Sequence, residues 1–176
     1  MTAFTKSLRG AAVALSVAVG ASFAVADAKA ANLAETAAAA GSFETLIAAA
    51  TAAGAVPFLT GDQPYTVFAP TDEAFARLPE GTVENLLLPE NRATLRRIIN
   101  LHIVPGAIPS SAVLSNQVAP LTMALQYIYI NGATDNGVFI DTRQASYPSP
   151  NAAQVVQADV MADNGVIHVI DNVLLP

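Results

Sequence analysis

The side chains able to do acid–base or metal chemistry in this sequence are few. His102 and His168 are the only histidines among 176 residues, and there is no cysteine, which excludes thiol catalysis. A serine nucleophile needs a base within hydrogen-bond reach, and that base needs a group to orient it. No Gly-x-Ser-x-Gly elbow is present. Neither a His-Glu-x-x-His metal spacing nor a glycine-rich phosphate loop occurs. What remains is His168 with Asp171 in the closing run N-G-V-I-H-V-I-D-N-V-L-L-P (164–176), His102 in L-H-I-V-P-G (101–106), and Asp72 after Thr71 in T-D-E-A-F.

The valines and isoleucines around His168 predict a strand. Side chains alternate faces along a strand, so Val166, His168 and Ile170 share one face, and Ile167, Val169 and Asp171 the other. His168 and Asp171 then stand on opposite faces, about 10 Å apart along the strand, and form no dyad while it stays regular. His168 is expected to pack at a core edge and to bond to backbone or a neighbouring strand. His102, where a helix meets Ile103-Val104, is expected to tie that helix end to a strand or loop. Asp72 or Thr71 reads as a helix cap, and Asp171-Asn172 as a turn. No catalytic residue, metal site or cofactor site follows from these residues, and the protein is not read as an enzyme.

Several elements must position these residues. Asn32 and Glu35 have capping-box spacing before an alanine-rich helix that stops at Gly41. A second helix is predicted from a cap at Ser42 to about Ala53, with Phe43, Leu46, Ile47 and Ala50 on one face. Pro57 and Gly61 predict a loop, and Tyr65 to Ala69 a strand stopped by Pro70. Thr71 opens a short helix, Thr82 caps another to Leu88, and a longer one runs from Arg92 to Leu101 with Leu95, Ile98 and Ile99 inward. After Pro105-Gly106, strands are predicted over Leu121–Ile130, Val138–Ile140 and Val155–Val160, and from Gly165 onward, with Asn-Gly turns between them. Helices before strands, without βαβ alternation, indicate an α+β fold.

Hydrophobic residues make up 53% and charged residues 12%, far from a disordered composition. Lys6 and Arg9 precede an uncharged run, Ala11 to Ala26, which has the plan of a secretory signal and is short for a membrane span. Cleavage is expected after Ala26 or Ala30. Removing residues 1–26 leaves six basic residues against 14 acidic ones, a net charge of −8. That disfavours nucleic acid and anionic membrane as partners, since both need a basic face. A secreted domain without disulfides relies on its core alone.

Three stretches together resemble one family. Y-T-V-F-A-P-T-D-E-A-F-A-R-L (65–78) is similar to the first signature of the fasciclin (FAS1) domain, L-H-I-V-P-G to its central histidine box, and residues 164–176 to its second signature. The resemblance covers residues 42–176, leaving residues 27–41 as an alanine-rich segment. It implies a β-sandwich-like wedge with a helical bundle packed at one side, and two signature strands lying close together. It implies mainly structural roles for Thr71, Asp72, His102, His168 and Asp171. It also implies adhesion or protein interaction rather than catalysis, with a protein, cell-surface or matrix component as partner and an extracellular or periplasmic location. Many animal members carry Tyr-His in the histidine box, a tyrosine tied to integrin contact; Leu101 stands there instead, which weakens an expectation of integrin contact. A domain of the cell envelope that binds a small ligand or glycan is the alternative.

Partner selection is expected in loops and exposed aromatics. Tyr147 in the Pro/Ser-rich loop 145–153, and Tyr127 with Tyr129 on one face of a strand, are the candidates. Cross-strand packing is the other reading of the latter pair.

Overall fold

The computed structural model describes residues 31–113, 117–132, 137–143 and 152–176. The apolar run before Ala31 and the loop carrying Tyr147 lie outside the described residues.

Helix α1 (Leu33–Ala40) begins with the complete capping box. Asn32 Oδ1 accepts from Glu35 N at 3.0 Å, and the Glu35 carboxylate accepts from Asn32 N at 3.1 Å. Gly41 closes it in the left-handed conformation. Leu33 and Ala37 of this helix are buried in the same core as the residues that follow.

Helix α2 (Glu44–Ala53) differs at its start from the prediction. Phe43, not Ser42, occupies the N-cap and supplies no side-chain bond. The expected loop at Pro57 is instead a short helix, α3 (Val56–Thr60), because proline in the first turn is preset for helix and forfeits an N–H that has no partner there. Strand β1 (Tyr65–Pro70) leads into α4 (Asp72–Ala76). The cap of α5 (Thr82–Leu87) is Gly81 rather than Thr82. A 3-10 turn at Pro89–Asn91 then leads into α6 (Arg92–Leu101), with Leu95, Ile98, Ile99 and Leu101 buried.

The strands are β2 (Ile103–Pro105), β3 (Gln117–Val118), β4 (Tyr129–Asn131), β5 (Phe139–Asp141), β6 (Ala153–Ala162) and β7 (Gly165–Ile170). With β1 they form one seven-stranded sheet in the order β2-β1-β7-β6-β5-β4-β3. Among the described residues only β1 and β7 pair in parallel, from Tyr65↔Gly165 to Pro70↔Ile170. The helices and this mixed, curled sheet make the protein α+β, as the sequence predicts. The single strand predicted over Leu121–Ile130 is corrected: Leu121 and Tyr127 bridge across a tight turn, and only Tyr129–Asn131 is strand. Thr122 N and Oγ1 both donate to Gln126 O, at 3.0 and 2.8 Å, so local bonds replace a longer ladder.

β1 and β7 run through the middle of the core. Val67, Ala69, Ile167 and Val169 face the helices, packing with Leu46, Ala50, Ile98 and Ile99. Phe68 and Ile170 face the other way, where β4 and β5 fold over them with Ile130 and Ile140. Burial on both faces explains why these strands read as continuous Val/Ile runs rather than as alternation. The close parallel approach fixes Gly165: a Cβ built there would overlap the Tyr65 carbonyl oxygen.

Candidate functional site

His102 closes α6 and is fully buried. Its Nδ1 donates to Ile98 O at 2.8 Å, and its Nε2 accepts from Leu174 N at 3.0 Å. A carbonyl can only accept and an amide N–H can only donate, so the partners fix one neutral tautomer. Its own carbonyl accepts from Phe68 N at 2.9 Å. His102 thus ties the helix end to β1 and to the C-terminal segment. Burial pushes its pKa down to about 4, against the opposing effect of the Ile98 bond. Neither ring nitrogen is left for a substrate proton.

His168 lies on β7, in register with Phe68, and its ring stacks on that phenyl at 5.5 Å. Nε2 donates to Ile108 O at 2.8 Å, and Nδ1 accepts from Asp159 N at 3.3 Å. Asp159 sits within the second register shift of β6, between Gln157 and Val160, with φ 55°. Its carboxylate accepts from Ser110 N at 2.7 Å and from the Ser110 hydroxyl. Those two Ser110 bonds hold its carboxyl below the usual value, against the opposing effect of burial. Serine, aspartate and histidine therefore meet, but in the wrong order for nucleophilic catalysis: the hydroxyl donates to the carboxylate, and the imidazole bonds only backbone. The arrangement straps the 108–110 segment across β6 and β7.

The acidic signature residues serve helix ends and chain turns. Thr71 Oγ1 accepts from Ala74 N at 3.2 Å, capping α4. Asp72 caps a different helix: its Oδ1 accepts from Thr45 N at 2.9 Å, in the first turn of α2, which lacks a cap of its own. Burial alone would raise the Asp72 pKa, but the bonds from Thr45 and Glu44 outweigh it and lower the value. Asp171 accepts from Gln154 N at 2.7 Å and forms a salt bridge with Arg77 at 3.3 Å. Arg77 also donates to the Asp171 carbonyl at 2.8 Å.

The five signature residues thus line the β1–β7 pair and its ends without converging on a common point. Among the described residues, no group of three or more acidic or histidine side chains is placed to hold a metal ion.

Sequence reasoning missed Ser110, Asp159 and Asn164. The first two are 49 residues apart and carry no local signal. Asn164 reads in the sequence as half of an Asn-Gly turn and as the first residue of the second signature, with no role marked for its side chain. In the structure its side chain accepts from Leu33 N at 2.8 Å and donates to Leu59 O and Gly61 O at 3.0 and 2.7 Å, joining three elements.

The candidate aromatic surface is divided. Tyr127 is 54% exposed, Tyr129 is half-buried in β4, and Tyr147 lies outside the described residues. Beside Tyr127 stand Leu121, 41% exposed, and Leu125, 82% exposed. Leu125 has φ 58°, a conformation that L side chains disfavour. A separate groove of about 270 Å³ runs between α1 and β6, past Phe43, Val156 and Val160. No helix among the described residues is long and apolar enough to cross a membrane.

Residues 41–176 match the model of the fasciclin domain. The chain is 46% identical over 146 residues to protein sll1483 of Synechocystis sp., covering 82% of this chain and 73% of that protein. It is 34% identical over 136 residues to the transforming growth factor-beta-induced protein ig-h3 of Sus scrofa, covering 76% of this chain but 18% of that protein. Its fold is similar to a FAS1 domain pair from the insect cell adhesion molecule Fasciclin I, with a TM-score of 0.55 at 23% identity, covering 80% of this chain and 46% of that one.

Proposed function

The chain belongs to the fasciclin domain family, and on that premise we propose that it is a secreted, non-enzymatic module of cell–cell or cell–surface contact. The observation that carries this reading is the family match over residues 41–176, together with a structural relative described as a cell adhesion molecule. The engagement of both histidines by backbone supports it. Residues 1–26 are proposed as a signal removed on export, which puts the mature domain outside the cytoplasm. Its partner is proposed to be a protein or a cell-surface or matrix component, met through the surface around Tyr127, with Tyr147 as a further contact. Deleting the gene is expected to reduce cell attachment or aggregation in conditions where the protein is made; unchanged attachment would sink the reading.

A second reading, an envelope domain that binds a small ligand or glycan, draws on the groove between α1 and β6. Thermal-shift screening of glycans and small ligands tests it, since a ligand bound only by the native state raises the melting temperature.

A further inference from the structure

Five cations lie among the described residues of this acidic chain, and three of them, Arg92, Arg96 and Arg97, stand on α6. Arg92 and Arg96 are four residues apart and so project from one side of the helix. Their Nη2 atoms lie 3.7 and 3.6 Å from the point where a Cβ on Gly54 would sit. The two guanidinium groups therefore converge. Among the described residues neither has a carboxylate within salt-bridge distance or a hydrogen-bond acceptor.

Convergence of like charges is unfavourable. Arg92 also opens its own helix, where the dipole disfavours a cation, and α6 has no acidic residue in its first turn. The nearby C-terminal end of α2, which lacks a basic residue in its last turn, offsets part of this. It leaves the N–H donors of the two guanidiniums, five on each, facing solvent.

Next to the pair opens a cleft of about 170 Å³ between α2, the 89–91 turn and α6. Arg92 stands in its wall, and the other walls, Ala52, Leu87, Pro89 and Leu95, are aliphatic. The size suits a chain of a few carbons rather than the surface of a folded partner. Sugar rings favour aromatic platforms, and the cleft has none.

We propose that Arg92 and Arg96, with this cleft, bind a small amphiphilic carboxylate: the anion on the guanidinium pair and a short aliphatic chain against Leu87, Pro89 and Leu95. This assignment is independent of the adhesive role.

Octanoate is the probe. Calorimetric titration of the purified protein is expected to show saturable binding, with a rise in melting temperature. Octanol, with the chain alone, and sulfate, with the charge alone, are each expected to bind at least about tenfold more weakly. Arg92→Ala and Arg96→Ala are each expected to weaken octanoate binding about tenfold, the usual effect of losing a charge-assisted hydrogen bond. Arg97→Ala, outside the cleft, leaves binding unchanged. Arg92→Gln and Arg96→Gln keep the side-chain stem and give the same readout should an alanine variant misfold. The assignment is overturned by an absence of saturable octanoate binding, by equal affinity for octanol or sulfate, or by undiminished binding to the Arg92 and Arg96 variants.

Discussion

At neutral pH both ring nitrogens of His102 are engaged, one as donor to Ile98 O and one as acceptor from Leu174 N. Its folded pKa of about 4 lies below the ordinary 6.5. Between these values the unfolded chain binds more protons than the native one, so stability falls as pH drops through that window and the loss ends below it. The full loss is about 3 kcal/mol. Urea midpoints measured between pH 7.5 and 4 are expected to fall accordingly. In His102→Leu that slope disappears, at a cost of roughly 1–3 kcal/mol at pH 7.5, because two backbone groups lose their partner. Leu125 gives the opposite sign. Glycine suits its φ of 58°, so Leu125→Gly is expected to raise stability by about 1 kcal/mol in the same assay. Nothing in the sequence marked Leu125, because its backbone is set by the bonds between Thr122 and Gln126 rather than by its own type.

Among the elements, α2 depends on a residue 27 positions after Thr45 in its first turn. Asp72→Ala is expected to cost about 1 kcal/mol, the usual effect of losing an N-cap, and to fray α2 rather than α4. Amide exchange at Thr45 and its neighbours reads this out. The contribution of Asp72 is present above its unfolded value of 3.8 and is lost as pH falls through the lower folded one. The sequence shows a cap at Thr71-Asp72, but the local pattern does not say which helix Asp72 serves. β1 and β7 pose a sharper requirement at Gly165. A methyl group there overlaps the Tyr65 carbonyl oxygen, so Gly165→Ala is expected to destabilise by more than about 3 kcal/mol. Failure to reach a folded state by circular dichroism would agree with this; a stable variant would mean that the strands can separate without penalty.

For the whole molecule, the helical core and the strand core share β1 and β7 as a common wall. Loss of either side exposes that wall, so the two halves are expected to unfold together. Denaturation followed by circular dichroism and by tyrosine fluorescence, in a chain without tryptophan, is expected to give coincident two-state curves. Val169→Ala in one core and Ile140→Ala in the other are each expected to lower that single midpoint, at a cost of about 1 kcal/mol or more in stability; separate transitions would show that the halves fold apart. The proposed adhesive role belongs to this scale too, since it would rest on what the exterior offers rather than on any buried side chain.

The sequence by itself determined the fold class, the helix faces, the capping box at Asn32 and the three signatures, because periodicity, caps and turn residues act within a few neighbours. Alternation also predicted His168 and Asp171 on opposite strand faces, but β7 ends at Ile170 and Asp171 lies in the bend after it. That the two signature strands lie close together was implied by the family resemblance; only the tertiary structure decided that β1 and β7 pair in parallel in this register and that Asp72 caps α2. The same holds for Ser110, Asp159 and His168 meeting in a strap, and for Arg92 and Arg96 converging beside Gly54. Each of these joins residues distant in sequence, and packing rather than local preference brings them within reach.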